Sequence, residues 1–138
     1  MDAEQNKKIV KATWDAFWSG DVDKGLVNMS EDIVWYAPGG NAMGGPKRGK
    51  AEIRKFRFTE LDVFLELRRT VVGIYGDGDT VVMELKAEGK LRNGDPYDNA
   101  GCVVYELENG KIVRVRQYVD TQKAMALNKL FKDGELQR

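Results

Sequence analysis

Residues 96–119, PYDNAGCVVYELENGKIVRVRQYV, alternate apolar and polar side chains on both sides of an Asn-Gly pair. Tyr97, Asn99, Gly101, Val103, Tyr105 and Leu107 form one row, and Val113, Val115, Gln117 and Val119 form another. Asn109 and Gly110 both tolerate positive φ, so the stretch predicts a hairpin of two strands, 96–108 and 111–119. Both apolar rows should face inward together. That requirement predicts a three-residue connection, with Gly110 as a left-handed bulge, Val103 opposite Val115 and Gly101 opposite Gln117.

The same period of two extends back through strands at about 63–75 and 80–91, separated by Tyr75-Gly76-Asp77-Gly78-Asp79 and Arg92-Asn93-Gly94-Asp95. Upstream the period changes. Ile9, Val10, Thr13, Trp14, Phe17 and Trp18 recur at helical spacing and predict an amphipathic helix over 3–18. A second helix over about 21–29, capped by Asp21, a short strand from Ile33 to Ala37 and a third helix over 50–58 follow. Residues 120–132, with Ala124, Leu127, Leu130 and Phe131, predict a closing helix. Helices followed by an antiparallel meander define an α+β class, with a curved sheet wrapped against the helices.

The second strand leaves two registers open. Its apolar row is Val81, Met83, Leu85 and Ala87, and the alternate row holds Val82, Glu84, Lys86 and Glu88. A two-residue turn at Asn93-Gly94 sets Glu84 opposite Val103 and Lys86 opposite Gly101, inside the curve of the sheet. A three-residue turn puts Leu85 there instead and sends the charged pair to solvent.

The stretch from Pro38 to Gly49 is rich in glycine and reads as a loop at a pocket mouth. GGPKRGKAE, 44–52, lacks the hydroxyl residue of a phosphate-binding loop. Lys47, Arg48, Lys50, Arg54, Lys55 and Arg57 form a basic cluster without interleaved stacking aromatics, which reads as a solvated helix face.

The chain has 138 residues, 22 Lys+Arg, 22 Asp+Glu, one cysteine and no histidine. This length suits one domain over 1–138 with its own core. Without histidine, a Ser-His-Asp triad and a Cys-His dyad are excluded, and with one cysteine so are zinc constellations. Catalysis must then use carboxylates, lysine or tyrosine, and neither a metal nor another cofactor is expected. Zero formal charge gives no long-range field toward nucleic acid or an acidic membrane. The first residues, MDAEQNKKIVKATW, contain no apolar run of signal-peptide or membrane-span type, and a cytoplasmic location is expected.

WDAFWSGDVDKGLVNMSEDIVWYAPGG (14–40), RGKAEIRKF (48–56) and GKIVRVRQYVD (110–120) resemble the SnoaL-like proteins of the nuclear transport factor 2-like superfamily. That superfamily also holds ketosteroid isomerases and limonene epoxide hydrolases. The resemblance spans about residues 5–130 and implies a cone-shaped α+β barrel enclosing a deep pocket, often a homodimer through the outer sheet face. The isomerase base falls on Ala37, its oxyanion tyrosine on Thr13 and its protonated aspartate on Val103, so that route is absent. The hydrolase residues fall on Trp35, Ala37, Glu84, Lys86 and Gln117, and none is kept.

The resemblance nonetheless implies that Glu84 and Lys86 face inward beside Gln117. Glu84 would then accept a proton or activate water, Lys86 would stabilise negative charge, and Gln117 and Asn99 would orient the substrate. Asp120 is a second carboxylate candidate, with a helix cap as its competing role. The expected pocket lining is Thr13, Phe17, Trp35, Phe56, Val82, Asn99, Gly101, Val103, Val115 and Val119, suited to a small hydrophobic molecule. Three functions remain open: an isomerase, cyclase or hydrolase type of enzyme, a non-catalytic binder, and a dimeric interaction module.

Overall fold

A computed structural model of the chain describes residues 2–37 and 40–137; Pro38 and Gly39 of the glycine-rich loop lie outside the described residues. Helix α1, Ala3–Trp18, begins on a capping box. The Asp2 side chain accepts from Gln5 N, and the Gln5 side chain accepts from Asp2 N. Its buried stripe, Val10, Thr13, Trp14 and Phe17, faces the sheet. Asp21 caps α2, Val22–Leu26, as its side chain accepts from Lys24 N. This helix is shorter than the predicted 21–29. Ile112 N donates to Asn28 O, and pairing with a distant strand captures the chain from Met29 onward.

Strand β1, Met29–Ala37, pairs with β2, Gly45–Arg48, a short strand inside the stretch read as loop. Helix α3, Gly49–Val63, outruns the predicted 50–58 because Arg57 and Val63 continue the buried face that Ile53 and Phe56 begin. The meander is β3, Phe64–Asp77, β4, Thr80–Leu91, β5, Pro96–Glu108, and β6, Lys111–Val119. The closing segment is not one helix. Helix α4, Thr121–Ala124, passes into a 3-10 turn, Met125–Leu130, and then into a small hairpin of β7, Phe131–Lys132, and β8, Glu135–Leu136. Asp133 and Gly134 take positive φ of 52° and 79° and reverse the chain there, which returns Leu136 to pack beside Leu127 and Leu130.

The large sheet runs β2-β1-β6-β5-β4-β3, antiparallel except where β1 lies parallel to β6 with Trp35 beside Val115. Register shifts fall on β3 between Phe64 and Glu66 and between Val71 and Gly73, and on β1 between Met29 and Val34. Such irregularities bend a strand and increase its twist. The sheet therefore curls around α1 and α3 into the α+β fold that the sequence pattern predicts, with the cone shape that the resemblance implies.

Both Asn-Gly hairpins differ from the predicted geometry. At the β5–β6 turn only two residues connect the strands, Asn109 and Gly110, with φ of 49° and 78°. The extra residue sits later, where the register shifts beside Val113. The pairs are consequently Val103 with Gln117 and Gly101 with Val119, two residues along from the expected partners. The shift is even for Val115, Gln117 and Val119, which keep their inward facing, but beyond the irregularity Ile112 rather than the expected Val113 pairs with Leu107 and is buried in the core.

At the β4–β5 turn three residues connect, Arg92, Asn93 and Gly94, and Leu91 N donates to Asp95 O at 2.9 Å. Leu85 then pairs with Gly101, Glu84 with Cys102 and Lys86 with Ala100. Glu84 and Lys86 are exposed on the outer face, which corrects the inward placement implied by the resemblance. The physical reason is burial: this register puts Val81, Met83 and Leu91 at 0% exposure.

Two apolar clusters fill the inside of the sheet. The larger surrounds Trp35, whose ring meets Phe17, Phe56 and Tyr105 at centroid distances of 6.3, 6.4 and 6.3 Å. The smaller joins Val63, Leu91, Leu127 and Leu130. Among the described residues, no helix is long and apolar enough to cross a membrane.

Candidate functional site

Between the two clusters lies a cavity of about 120 Å³. Its walls are mainly apolar, with Trp14 and Trp18 from α1, Phe56 and Val63 from α3, Phe64 and Leu67 from β3, Leu85 from β4 and Leu127 beyond α4. Polar side chains reach it at Asn41, Glu60, Arg69, Tyr97, Asn99 and Gln117. A cavity of this size holds a ring of roughly benzene dimensions, and a larger molecule extends through the mouth.

Of the expected site, Phe56, Asn99, Gly101, Val103, Gln117 and Val119 do line this cavity. Phe17, Trp35 and Val115 belong to the solid core beneath it. Thr13 is buried and spends its hydroxyl on Ile9 O at 2.9 Å. Val82 shares the outer row with Glu84, since Met83 between them faces the core. Lys86 touches the cavity only at its border, and it also borders a surface depression with Arg68 and Thr70. Asp120 is exposed and caps α4, accepting from Gln122 N and Lys123 N.

Gly101 lines the cavity and also has a packing task. A Cβ there would collide with Tyr118 O, so glycine lets β6 approach β5 closely. Asn99 is likewise committed. Its Nδ2 donates to Tyr97 Oη at 2.9 Å and to Asp120 O at 3.1 Å, and its Oδ1 accepts from Asp120 N and Ala100 N. It fixes Tyr97 and the strand end rather than orienting a substrate. Gln117 accepts from Trp35 Nε1 at 3.3 Å through Oε1 and keeps its amide hydrogens for the cavity.

The groups that remain chemically available were outside the expected set. Glu60 is the single carboxylate among the described lining residues. Its partner is Arg57, one turn earlier on α3, which donates to Glu60 Oε1 and is 2% exposed. The Arg57 guanidinium lies 4.2 Å from the Trp35 ring centroid and 4.6 Å from that of Phe17. Its Nε and Nη2 have no hydrogen-bond partner among the described residues. Arg69 stacks 4.2 Å from the Trp18 ring, and Lys47 Nζ lies 4.4 Å from the Phe56 ring. Burial lowers the Arg69 pKa, partly offset by Glu60. It also pushes Lys47 down to about 8, with Glu60 opposing the fall and Arg57 adding to it.

Burial raises the Tyr97 phenol, opposed in part by the Asn99 hydrogen bond. Tyr97 therefore stays protonated at neutral pH. Its oxygen accepts from Asn99, which leaves its O–H to donate into the cavity.

The basic cluster is thus split. Arg48, Arg54 and Lys55 are exposed as expected, while Arg57 and Lys47 turn inward, correcting the solvated-face reading at those two positions. A signal for Arg57 and Glu60 was available: they lie four and seven residues after Ile53, on the apolar stripe of α3.

The sequence profile of the SnoaL-like domain family matches residues 10–115. The chain belongs to this family. Among solved structures, a nuclear transport factor 2-like protein from Burkholderia xenovorans superposes with a TM-score of 0.82 at 21% identity, covering 93% of this chain and 98% of that one. A putative SnoaL-like polyketide cyclase from a Jannaschia species gives 0.79 at 18% identity, with 94% and 95% covered. A Mycobacterium tuberculosis protein in complex with estradiol-17β-hemisuccinate gives 0.75 at 18% identity, with 89% and 98% covered. At these identities the likeness is one of fold. No curated protein matches the sequence significantly.

Proposed function

We propose that this SnoaL-like domain binds a small, mainly apolar carbonyl compound in the cavity and moves a proton on it. Glu60 is the proton acceptor and Tyr97 the hydrogen-bond donor to the carbonyl oxygen. The observation that carries this reading is the placement of one carboxylate, held from behind by Arg57, in a mainly apolar cavity that a protonated tyrosine also lines. A base that removes a proton next to a carbonyl needs a donor where the oxygen gains charge. The cations behind the wall favour that charge in a region of low dielectric. This chemistry belongs to the isomerase and cyclase classes. The solved structures of a putative SnoaL-like polyketide cyclase and of a protein in complex with a steroid derivative share the fold and support the same class of occupant.

The test is proton exchange on a panel of enolisable cyclic ketones in deuterated buffer, followed by NMR. Glu60→Gln should abolish exchange with little change in ligand affinity. Tyr97→Phe should reduce exchange about a hundredfold, in the range of one lost oxyanion donor. Exchange unchanged in both variants would reject the assignment, and binding without exchange in the unmodified protein would favour a non-catalytic binder. The outer sheet face, where Tyr75 and Tyr118 are exposed, is proposed as a homodimer surface. Analytical ultracentrifugation checks this.

A further inference from the structure

The charge around the cavity is not balanced. The charged and titratable residues that line it are Glu60 from α3, Arg69 from β3, Tyr97 and Cys102 from β5, Tyr118 from β6 and, at its border, Lys86 from β4; Lys47 from β2 and Arg57 from α3 stand behind them against the Phe56 ring. Two cations of the lining, Arg69 and Lys86, and two behind it, Lys47 and Arg57, thus stand against one carboxylate among the described lining residues. Arg57 pairs with Glu60, yet two of its nitrogens have no acceptor among the described residues. Among the described residues, neither Lys47 nor Arg69 forms an ion pair. Lys47 Nζ donates to the carbonyls of Met43 and Gly45, and Arg69 Nη1 donates to Leu67 O at 3.2 Å.

What holds these cations in place is chiefly aromatic surface. Trp18 stacks on Arg69, Phe56 on Lys47, and Phe17 and Trp35 on Arg57. A ring face attracts a cation through its quadrupole but leaves the formal charge uncompensated. Carbonyl dipoles do the same. Positive charge removed from water without a counter-ion costs free energy, and an anion entering the cavity recovers part of it.

We infer that the occupant of this cavity is an aromatic or cyclic monoanion, a carboxylate or phenolate, rather than a neutral compound. The inference rests on the pocket reading above and adds the charge class of the ligand. The flat tryptophan and phenylalanine walls take the ring, and the edge of the cavity at Glu60, Arg69 and Tyr97 takes the charged end. Arg69 and Tyr97 are its direct donors, with Lys47 and Arg57 acting through space behind Phe56.

The inference fixes the sign of a pH effect. Lys47 is charged below its lowered value of about 8 and neutral above it. Anion affinity is therefore full near neutral pH and falls as pH rises through that value, and at pH 8 binding takes up protons because the bound anion raises the Lys47 pKa.

Calorimetric titration of the intact protein with benzoate and 2-naphthoate tests this, against benzamide, 2-naphthamide and benzylammonium as neutral and cationic shape matches. Each carboxylate should bind at least tenfold tighter than its amide at pH 6.5, and the ratio should shrink at pH 9.5. Arg69→Met should remove most of the carboxylate advantage while leaving amide affinity within about twofold. Lys47→Met should flatten the pH dependence, and Lys47→Arg should keep the advantage at pH 9.5. Glu60→Gln should tighten carboxylate binding, since it removes the one negative charge. Amides that bind as tightly as carboxylates, or a preference for benzylammonium, would overturn the charge assignment and leave the pocket reading standing. No binding of any member would overturn both.

Discussion

The two hairpins of the meander carry the same dipeptide, Asn93-Gly94 and Asn109-Gly110, and fold it differently. At Asn109-Gly110 both residues take positive φ and form the whole loop. At Asn93-Gly94 only the glycine does, with φ 90°, and Arg92 joins the loop. The difference comes from what the neighbouring residues touch. Arg92 N donates to Val63 O at 2.7 Å and its Nη1 donates to Asp62 O, which ties it to the end of α3. Asn93 Oδ1 accepts from Asp95 N, a local turn that competes with the left-handed conformation. Leu91 meanwhile buries itself with Val63, Leu127 and Leu130. A hairpin's loop length sets strand parity, and parity decides which row of β4 sees the cavity. One tertiary tie at Arg92 thus keeps Glu84 and Lys86 outside.

Deleting Asn93, so that β4 and β5 are joined as at the other hairpin, breaks the comparison most severely. It would turn Val81, Met83 and Leu91 outward, at roughly 1.5–3 kcal/mol each. The sum is comparable to the whole stability of a domain of this size. The expected outcome is loss of the cooperative unfolding transition in urea. A folded deletion variant would show that parity is not held by burial.

The next effect is at the strand that both hairpins share. Gly101→Ala places a methyl against Tyr118 O and should cost about 3 kcal/mol as the β5–β6 ladder shifts. Chemical denaturation measures it, and a loss below about 0.5 kcal/mol would contradict the close approach.

The turns themselves should then separate. Asn109→Ala forces a left-handed alanine and should cost about 1 kcal/mol, while Asn93→Ala, where φ is negative, should lose less. Equal losses at the two positions would show that the loop types do not differ in solution.

The smallest effect is the most pointed. Glu84→Gln should change stability by less than about 0.5 kcal/mol and leave benzoate affinity unaltered. A clear change of affinity would return Glu84 to the cavity.

The α+β class, the four meander strands, the inward row of β5 and the inward Val115, Gln117 and Val119 of β6 were legible because amphipathic periods repeat over long segments, whereas Ile112 in place of Val113 was not, because a local register shift interrupts the period. The apolar row Val81, Met83, Leu85 and Ala87 was legible too, and it outweighed the inward placement that the resemblance implied for Glu84 and Lys86. Within the site, Phe56, Asn99, Gly101, Val103, Gln117 and Val119 were found by alternation and helical spacing. Arg57 and Glu60 were passed over because charged residues on a helix ordinarily face water, and a pair that neutralises itself against aromatic walls departs from that tendency.

The sequence by itself determined which segments are helices and strands and which reactions lack their side chains, because both depend on local pattern and residue type alone. Only the tertiary structure decided that Arg92 belongs to its loop, that Lys47 and Arg57 stand behind Phe56 while Arg69 reaches the cavity beside Trp18, and that Glu60 is the carboxylate of the described lining. Those outcomes depend on which distant surfaces meet: a loop length is chosen by the contacts its residues find, and a buried cation is tolerated only where rings from other elements close around it.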